Sequence, residues 1–384
     1  MKIFEYIIFN IVESLLRFFP VPSKTGLVKI GNPAEDSPVF LTCNYHLTVQ
    51  RVKWALKGKD AYLLVANSRG INVWCAASGG HFTNHDVISV LKTSGIEDKV
   101  SHRKVILPQL AAAGIEARVV HKKSGWRIIW GPVNIKDIQK FLGNRLNKSP
   151  EMREVQFPLL KRIEMAAAWA FPMSIGFSLI TLFFWQNTAI SVFFLVWVLS
   201  LLIFACFPLY SPLLKPGKRE NAPKLLVFKR FMLIILLFTA VLTALIMFCI
   251  LTGNSSLEFI IFWGIASSVM VFVLSIDLAG STPLLKSGLL EEKSLSVVID
   301  TEKCKGSAFC IDVCPRNCFA VDKSGRTVSI YRAGRCVGCG ACIIQCPFDA
   351  IYFESAEGDK IDPATLREFK LNILGKRSIK VNNR

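Results

Sequence analysis

Residues 336–347, "CVGCGACIIQCP", decide the fold of the C-terminal part of the chain. Their thiols follow the spacing Cys-x2-Cys-x2-Cys-x3-Cys-Pro. Three closely spaced thiolates can grip three irons of one cubane, and the fourth, set before proline, reaches a second cluster. Residues 304–315, "CKGSAFCIDVCP", repeat the frame with Ser307 in the second position. Crossed ligation assigns Cys336, Cys339, Cys342 and Cys314 to one [4Fe–4S] cluster. Cys304, Cys310 and Cys346 are left for the second, which lacks a fourth thiolate. Three readings are open there: an oxygen ligand from Ser307, a [3Fe–4S] cluster, or Cys318 of "CPRNC" moving in as the replacement. Alkoxide is a harder donor than thiolate and a poorer match for iron–sulfur chemistry.

The two repeats resemble two-cluster ferredoxins over residues 298–355, which implies a small α+β domain. Eight of the 12 cysteines fall within this segment, so that end of the chain is expected in a reducing compartment.

Outside it, composition speaks first. Of 384 residues 52% are hydrophobic and only 19% charged, with a formal net charge of +18. The basic residues do not gather with aromatics on one soluble module, which argues against a nucleic-acid groove and for an anionic lipid surface. Four apolar runs, 163–185, 189–209, 231–251 and 258–276, each approach the 20 residues that cross a bilayer as a helix. Lys161 and Arg162 precede the first run. Lys215, Lys218, Arg219, Lys224, Lys229 and Arg230 fill the loop between the second and third. By the positive-inside rule the chain is expected in the cytoplasmic (inner) membrane, multi-pass, with both soluble domains cytoplasmic.

These signals divide the chain. Residues 1–26 read as an amphipathic interfacial helix, its polar stripe formed by Lys2, Glu5, Asn10, Glu13 and Arg17. Residues 27–160 alternate strand-like stretches ("PVFLTCNY", "KVILPQL", "WRIIWGP") with helix-like ones ("NHDVISVLKTSG", "NIKDIQKFLG"), the pattern of an α/β domain with a largely parallel sheet. A four-helix transmembrane region follows at 161–282, then a linker at 283–297, the cysteine-rich domain at 298–355 and a basic tail at 356–384.

Within the α/β part, "GINVWCAASGGHF" (70–82) places one thiol, Cys75, in a small-residue turn before a helix. On chemistry alone it is either a buried small hydrophobe or a thiolate favoured by a helix N-terminus. "GINVWCAASGG" resembles the motif N-V-W-C-A-A-G-K of the corrinoid iron–sulfur protein superfamily. "IGNPAEDSPVFLTCNYHLT", "VSHRKVILPQL", "SGWRIIWGPV" and "SPEMREVQFPL" resemble stretches of it in the same order. A corrinoid domain followed by membrane helices, with "DLAGSTPLLKSG" after the fourth run, is most similar to the mercury-methylation corrinoid proteins, here fused to a partner two-cluster ferredoxin.

That resemblance implies a cobalamin-binding α/β domain in which Cys75 is the lower axial ligand of cobalt. Asn72, Val73, Trp74, Ala76 and Ala77 would shape the turn beneath the corrin, with His102 in the cofactor pocket. It implies a membrane-anchored methyltransferase whose fused ferredoxin domain reduces cobalt, with mercury or another soft metal or metalloid as methyl acceptor. Its partners would be the bilayer, a methyl donor protein or methyl-folate enzyme, and a low-potential electron donor. The alternative is a membrane-bound iron–sulfur electron-transfer protein that does not bind cobalamin. Three departures from the family stand out. Ser78-Gly79 replaces its Gly-Lys, no vicinal cysteine pair follows Cys346, and Ser307 replaces a cluster ligand.

Overall fold

The computed structural model describes residues 3–184, 186–214, 242, 246, 257–278, 295–322, 325–355 and 358–369. The third apolar run (except residues 242 and 246), the basic loop from Lys215 onward, the tail from residue 370 and nearly all of "DLAGSTPLLKSG" lie outside them. The chain forms two compact units: residues 1–19 with 157–290, and residues 20–156 with 291–384. The α/β and cysteine-rich parts therefore belong to one unit although the helical segment separates them in sequence.

Helix α1 (Ile3–Leu15) opens the first unit. The α/β part of the second unit then begins with β1 (Gly26–Ile30), β2 (Val39–Cys43), α2 (His46–Ala55) and β3 (Ala61–Ala66). Next come α3 (Val73–Ser78), α4 (Asn84–Thr93), β4 (Lys104–Leu107), a 3-10 turn at Gln109–Ala113, α5 (Ala117–Ser124) and β5 (Arg127–Trp130). Helices α6 (Ile138–Gly143) and α7 (Pro150–Arg153) close it. The five strands are ordered β1-β3-β2-β4-β5. Strands β2 to β5 are parallel and only β1 is antiparallel, as the alternation of elements predicts. Every residue of β2 and β3 is buried, the signature of parallel strands covered on both faces. Chain direction reverses between β2 and β4. In such sheets the ligand crevice lies outside the carboxyl ends of the strands, at that switch point.

In the first unit, α8 (Leu159–Phe184) and α9 (Ala189–Ala205) are long and apolar enough to cross a membrane by length and composition. The short helix α10 (Phe207–Tyr210) follows, and α11 (Leu257–Leu278) covers the fourth apolar run. Ser200 donates to Ala166 O at 2.8 Å, joining α9 to α8. Helix α1 is tied to α8 by Ser14 Oγ to Glu164 (3.1 Å), by the Arg17–Glu164 pair (3.7 Å) and by Phe18 against Trp169. Its apolar stripe of Ile3, Phe4, Ile7 and Ile11 stays exposed, as do Leu179 and Phe183 on α8. Among the described residues two spans meet the criterion, where the sequence predicts four.

The cysteine-rich part pairs β6 (Leu295–Ile299) with β9 (Ile351–Ser355), and β9 with β10 (Lys360–Ile361). Helix α12 (Phe309–Val313) precedes the hairpin β7 (Phe319–Val321) and β8 (Val328–Ile330). Helix α13 (Ala341–Gln345) precedes β9, and α14 (Pro363–Phe369) ends the described chain. The two cysteine repeats share a backbone. Gly306 and Gly338, Ala308 and Gly340, and Asn317 and Asp349 are matched pairs with positive φ. Ala308 at φ 58° holds a left-handed conformation that its counterpart meets with glycine.

Candidate functional site

The crevice residues come from three loops after parallel strands. Asn44, just past β2 and 4% exposed, accepts from Ser68 N (2.9 Å), Ser68 Oγ (2.9 Å) and Gly70 N (3.0 Å). It thereby fixes the loop after β3 that leads into α3. Asn44→Ala leaves these donors unsatisfied and is expected to cost about 2–3 kcal/mol, read as a lowered denaturant midpoint.

Asn72 then caps α3, its side chain accepting from Cys75 N at 3.0 Å. In α3 the residues Val73, Trp74, Ala76, Ala77 and Ser78 are all buried, and only Cys75 is partly exposed. The residues that flank it are thus packed, and Cys75 is the residue of α3 that reaches the surface. Trp74 contributes a buried indole N–H without a hydrogen-bond partner, and Trp130, at the end of β5, a second. A partly exposed thiol at the start of a packed helix past the carboxyl end of β3 fits the corrinoid reading. Gly79 caps the helix, and a Cβ there would lie 2.6 Å from Cys75 O. The family's lysine at this position does not fit the present backbone without a shift.

Two candidate residues stand apart from the sites considered for them. His102 lies before β4, its ring nitrogen 3.1 Å from Ser37 O, and Ser37 precedes β2. Both are at the amino ends of their strands, so His102 stands at the sheet edge opposite the loop that leads to Cys75. Cys318 does not join the three-thiolate site. Its N–H points at Cys314 Sγ (3.3 Å), and its thiol hydrogen-bonds to Cys314 and Cys336, which hold it protonated. The same contact with Cys318 lowers the Cys314 thiol. Cys43, expected in the core, is fully buried, and burial pushes its thiol up to about 11.

Cys339, Cys336, Cys314 and Cys310 all lie close enough to Cys342 to act on its charge, and Cys304 and Cys346 act likewise on Cys310. Cys304, Ser307, Cys310 and Cys346 line one pocket, with Ser307 exposed at its edge. This donor set fits a cluster with one corner lacking thiolate. Burial pushes the Cys310 thiol up to about 12, so metal must displace its proton. Backbone N–H groups of Gly338 and Ala350 face Cys336 Sγ and Cys346 Sγ at 3.4 Å, contacts that tune cluster potential. Among the described residues no three His, Cys, Asp or Glu form a site for a single metal ion.

The cluster helices pack on the α/β part. Gln345 Nε2 donates to Ala112 O (2.9 Å) and Ile115 O (2.6 Å). Lys148 pairs with Asp312 at 3.0 Å, Arg335 with Glu154 at 2.8 Å, and Val155 N donates to Pro315 O at 2.8 Å. Burial lowers the Lys148 ammonium to about 8 despite Asp312. Asn44, Lys148 and Gln345 carried no signal as site residues in the sequence. Asn44 sits within a quoted family stretch, but only the loop it binds reveals its use.

Residues 18–142 match a family model described as the CO dehydrogenase/acetyl-CoA synthase delta subunit, CdhD. Residues 299–356 match the 4Fe-4S dicluster domain. The acetyl-CoA decarbonylase/synthase complex subunit gamma of Archaeoglobus fulgidus is 36% identical over 125 residues, 32% of this chain and 26% of the relative. Its counterpart from Methanocaldococcus jannaschii is 35% identical over 131 residues, 34% of this chain and 26% of the relative. Subunit gamma 2 of Methanosarcina mazei is 41% identical over 97 residues, 24% and 21% of the two chains. The chain thus spans about a quarter of the length of these relatives.

Proposed function

We propose that this chain, which joins an N-terminal CdhD-like α/β domain to a C-terminal ferredoxin-like domain, is a corrinoid-dependent methyl-transfer protein that carries its own electron supply. The observation that carries the reading is Cys75, the one residue of α3 left partly exposed while its small neighbours are packed away. A corrinoid bound at this crevice would supply a cobalt centre able to accept and pass on a methyl group. Cys75 would hold that centre from below, and its anionic sulfur would raise electron density at the metal, as thiolate does at haem iron. Asn72 fixes the turn by capping, and the buried Ala76 and Ala77 let α3 pack closely on the domain beneath it. Cys314, Cys336, Cys339 and Cys342 would hold one [4Fe–4S] cluster, and Cys304, Cys310 and Cys346 the other.

The finer proposal is anchorage in the cytoplasmic membrane through four helices, with α1 lying in the interface. The exposed apolar stripe of α1 and the length of α8 and α9 support it. Its methyl acceptor would be a soft metal ion or metalloid, mercury among them. The alternative, an iron–sulfur electron carrier without cobalamin, is favoured by one feature, the Gly79 that stands where the family has lysine.

The test is an absorption spectrum of anaerobically purified protein after incubation with cobalamin and removal of excess. Retained corrinoid with a thiolate–cobalt band is the expected result, and absence of retention leaves the electron carrier. Methylmercury formation by the loaded protein then separates mercury from other acceptors.

A further inference from the structure

The segment from Gln109 to Ala117 is gripped from both sides. On the ferredoxin-like side, Gln345 lies between the ligands Cys342 and Cys346 and is 8% exposed. Besides its two donations to Ala112 O and Ile115 O, its Oε1 accepts from Ala117 N at 3.3 Å. Lys148, with its side chain 2% exposed, donates to Asp312 O (2.7 Å) and Gln109 Oε1 (2.9 Å) while paired with the Asp312 carboxylate. Asp312 stands between Cys310 and Cys314, so each cluster helix contributes one clamp. On the opposite side the same segment meets α3 through backbone. A Cβ on Gly114 would lie 2.3 Å from Ala77 O, and Ala77 is two residues past Cys75.

Apolar packing alone would join two domains without fixing one arrangement. Buried polar groups are costly unless every partner is in place, so they specify a single geometry. Here the side chains that do so flank the cluster ligands.

We propose that residues 109–117, clamped by Gln345 and Lys148, form a fixed conduit from the cluster sites to the Cys75 helix, so that electrons pass within one chain. Gln345 is a positioning residue. The acceptor rests on the corrinoid reading, whereas the docking rests on this chain's residues alone. The step moves one electron. A cluster charged by an external low-potential reductant would be oxidised by one electron and cobalt(II) at Cys75 reduced to cobalt(I) with no proton transferred, the hydroxide of the added hydroxocobalamin having left in the earlier reduction of cobalt(III) to cobalt(II).

The experiment uses the full chain, reconstituted with iron, sulfide and hydroxocobalamin, as wild type, Gln345→Ala and Lys148→Met. Three quantities are read: amide hydrogen exchange over residues 111–117, the magnetic interaction between cobalt(II) and the reduced clusters by EPR, and single-turnover cobalt reduction after dithionite charges the clusters. In wild type the rate should not depend on protein concentration. In Gln345→Ala, exchange protection should fall, the magnetic interaction weaken and the rate drop about tenfold or more, the scale of an ångström-level misplacement. Iron content and the clusters' own spectra should be unchanged. If Gln345→Ala fails to hold its clusters, Lys148→Met, farther from the ligand sulfurs, carries the same test. An unaltered magnetic interaction and rate, or a wild-type rate proportional to protein concentration, overturns the conduit. Should wild type retain no corrinoid, the acceptor reading fails. Exchange protection then decides the docking, and equal protection in wild type and Gln345→Ala overturns it.

Discussion

Cys75→Ala is expected to abolish the thiolate–cobalt absorption of cobalamin-loaded protein while leaving both cluster spectra intact. Cys75 is the one residue of α3 that is partly exposed, because Val73, Trp74, Ala76, Ala77 and Ser78 are buried. Alanine at 75 keeps the helix, since the Asn72 cap bonds to the backbone N–H of residue 75 and not to its side chain. The effect is therefore on ligation and not on folding. Corrinoid affinity should fall by about a hundredfold or more, since losing even an outer partner of a metal ligand costs about 10- to 100-fold. Methyl transfer should fall with it. Full retention of corrinoid by the variant, with an unchanged spectrum, would show that cobalt is not held by Cys75.

The second large effect is at Ser307. Ser307→Cys should turn the three-thiolate cavity into a four-thiolate one. In the sister repeat Cys339 occupies the equivalent place, and the matched left-handed residues on either side show that both repeats run through the same turn. A cysteine at 307 should therefore reach the cavity that Cys304, Cys310 and Cys346 already line. Wild-type protein exposed to mild ferricyanide should lose about one iron per chain and show the EPR signal of a three-iron cluster, because the corner without thiolate is the labile one. The variant should keep that iron. Cys318→Ala should leave the behaviour of this cluster as in wild type, since Cys318 contacts Cys314 and Cys336. Equal iron loss from wild type and Ser307→Cys would instead place the labile corner elsewhere.

Legibility in the sequence followed the range of the interaction. The cysteine pattern was readable because its spacing is local and a cubane demands it; in the structure Cys304, Cys310 and Cys346 line one pocket. Parallel strands were readable because "AYLLVA" and "VFLTC" are apolar without alternation, and both are buried throughout. The place of His102 was not readable because a motif match does not say at which end of a strand a residue lies. It precedes β4, while the crevice lies past the strands' carboxyl ends. Of the three readings open for the second cluster, replacement by Cys318 is the one its contacts do not favour. Four residues after Cys314, it follows its own neighbour's cluster and not the one with a vacancy in its motif.

By itself the sequence determined the two cysteine repeats of the 4Fe-4S dicluster domain, where the α/β domain lies and that long apolar helices interrupt the chain. It did so because cysteine spacing, strand hydrophobicity and helix length are properties of short segments. Only the tertiary structure decided that the two halves of the second unit pack together across that interruption. Gln345 and Lys148 occupy positions that the cysteine pattern leaves unconstrained, and their partners at Ala112, Ile115 and Gln109 are far away in sequence. A buried hydrogen bond between distant segments has no local signature, because its free energy arises only when both groups leave water together.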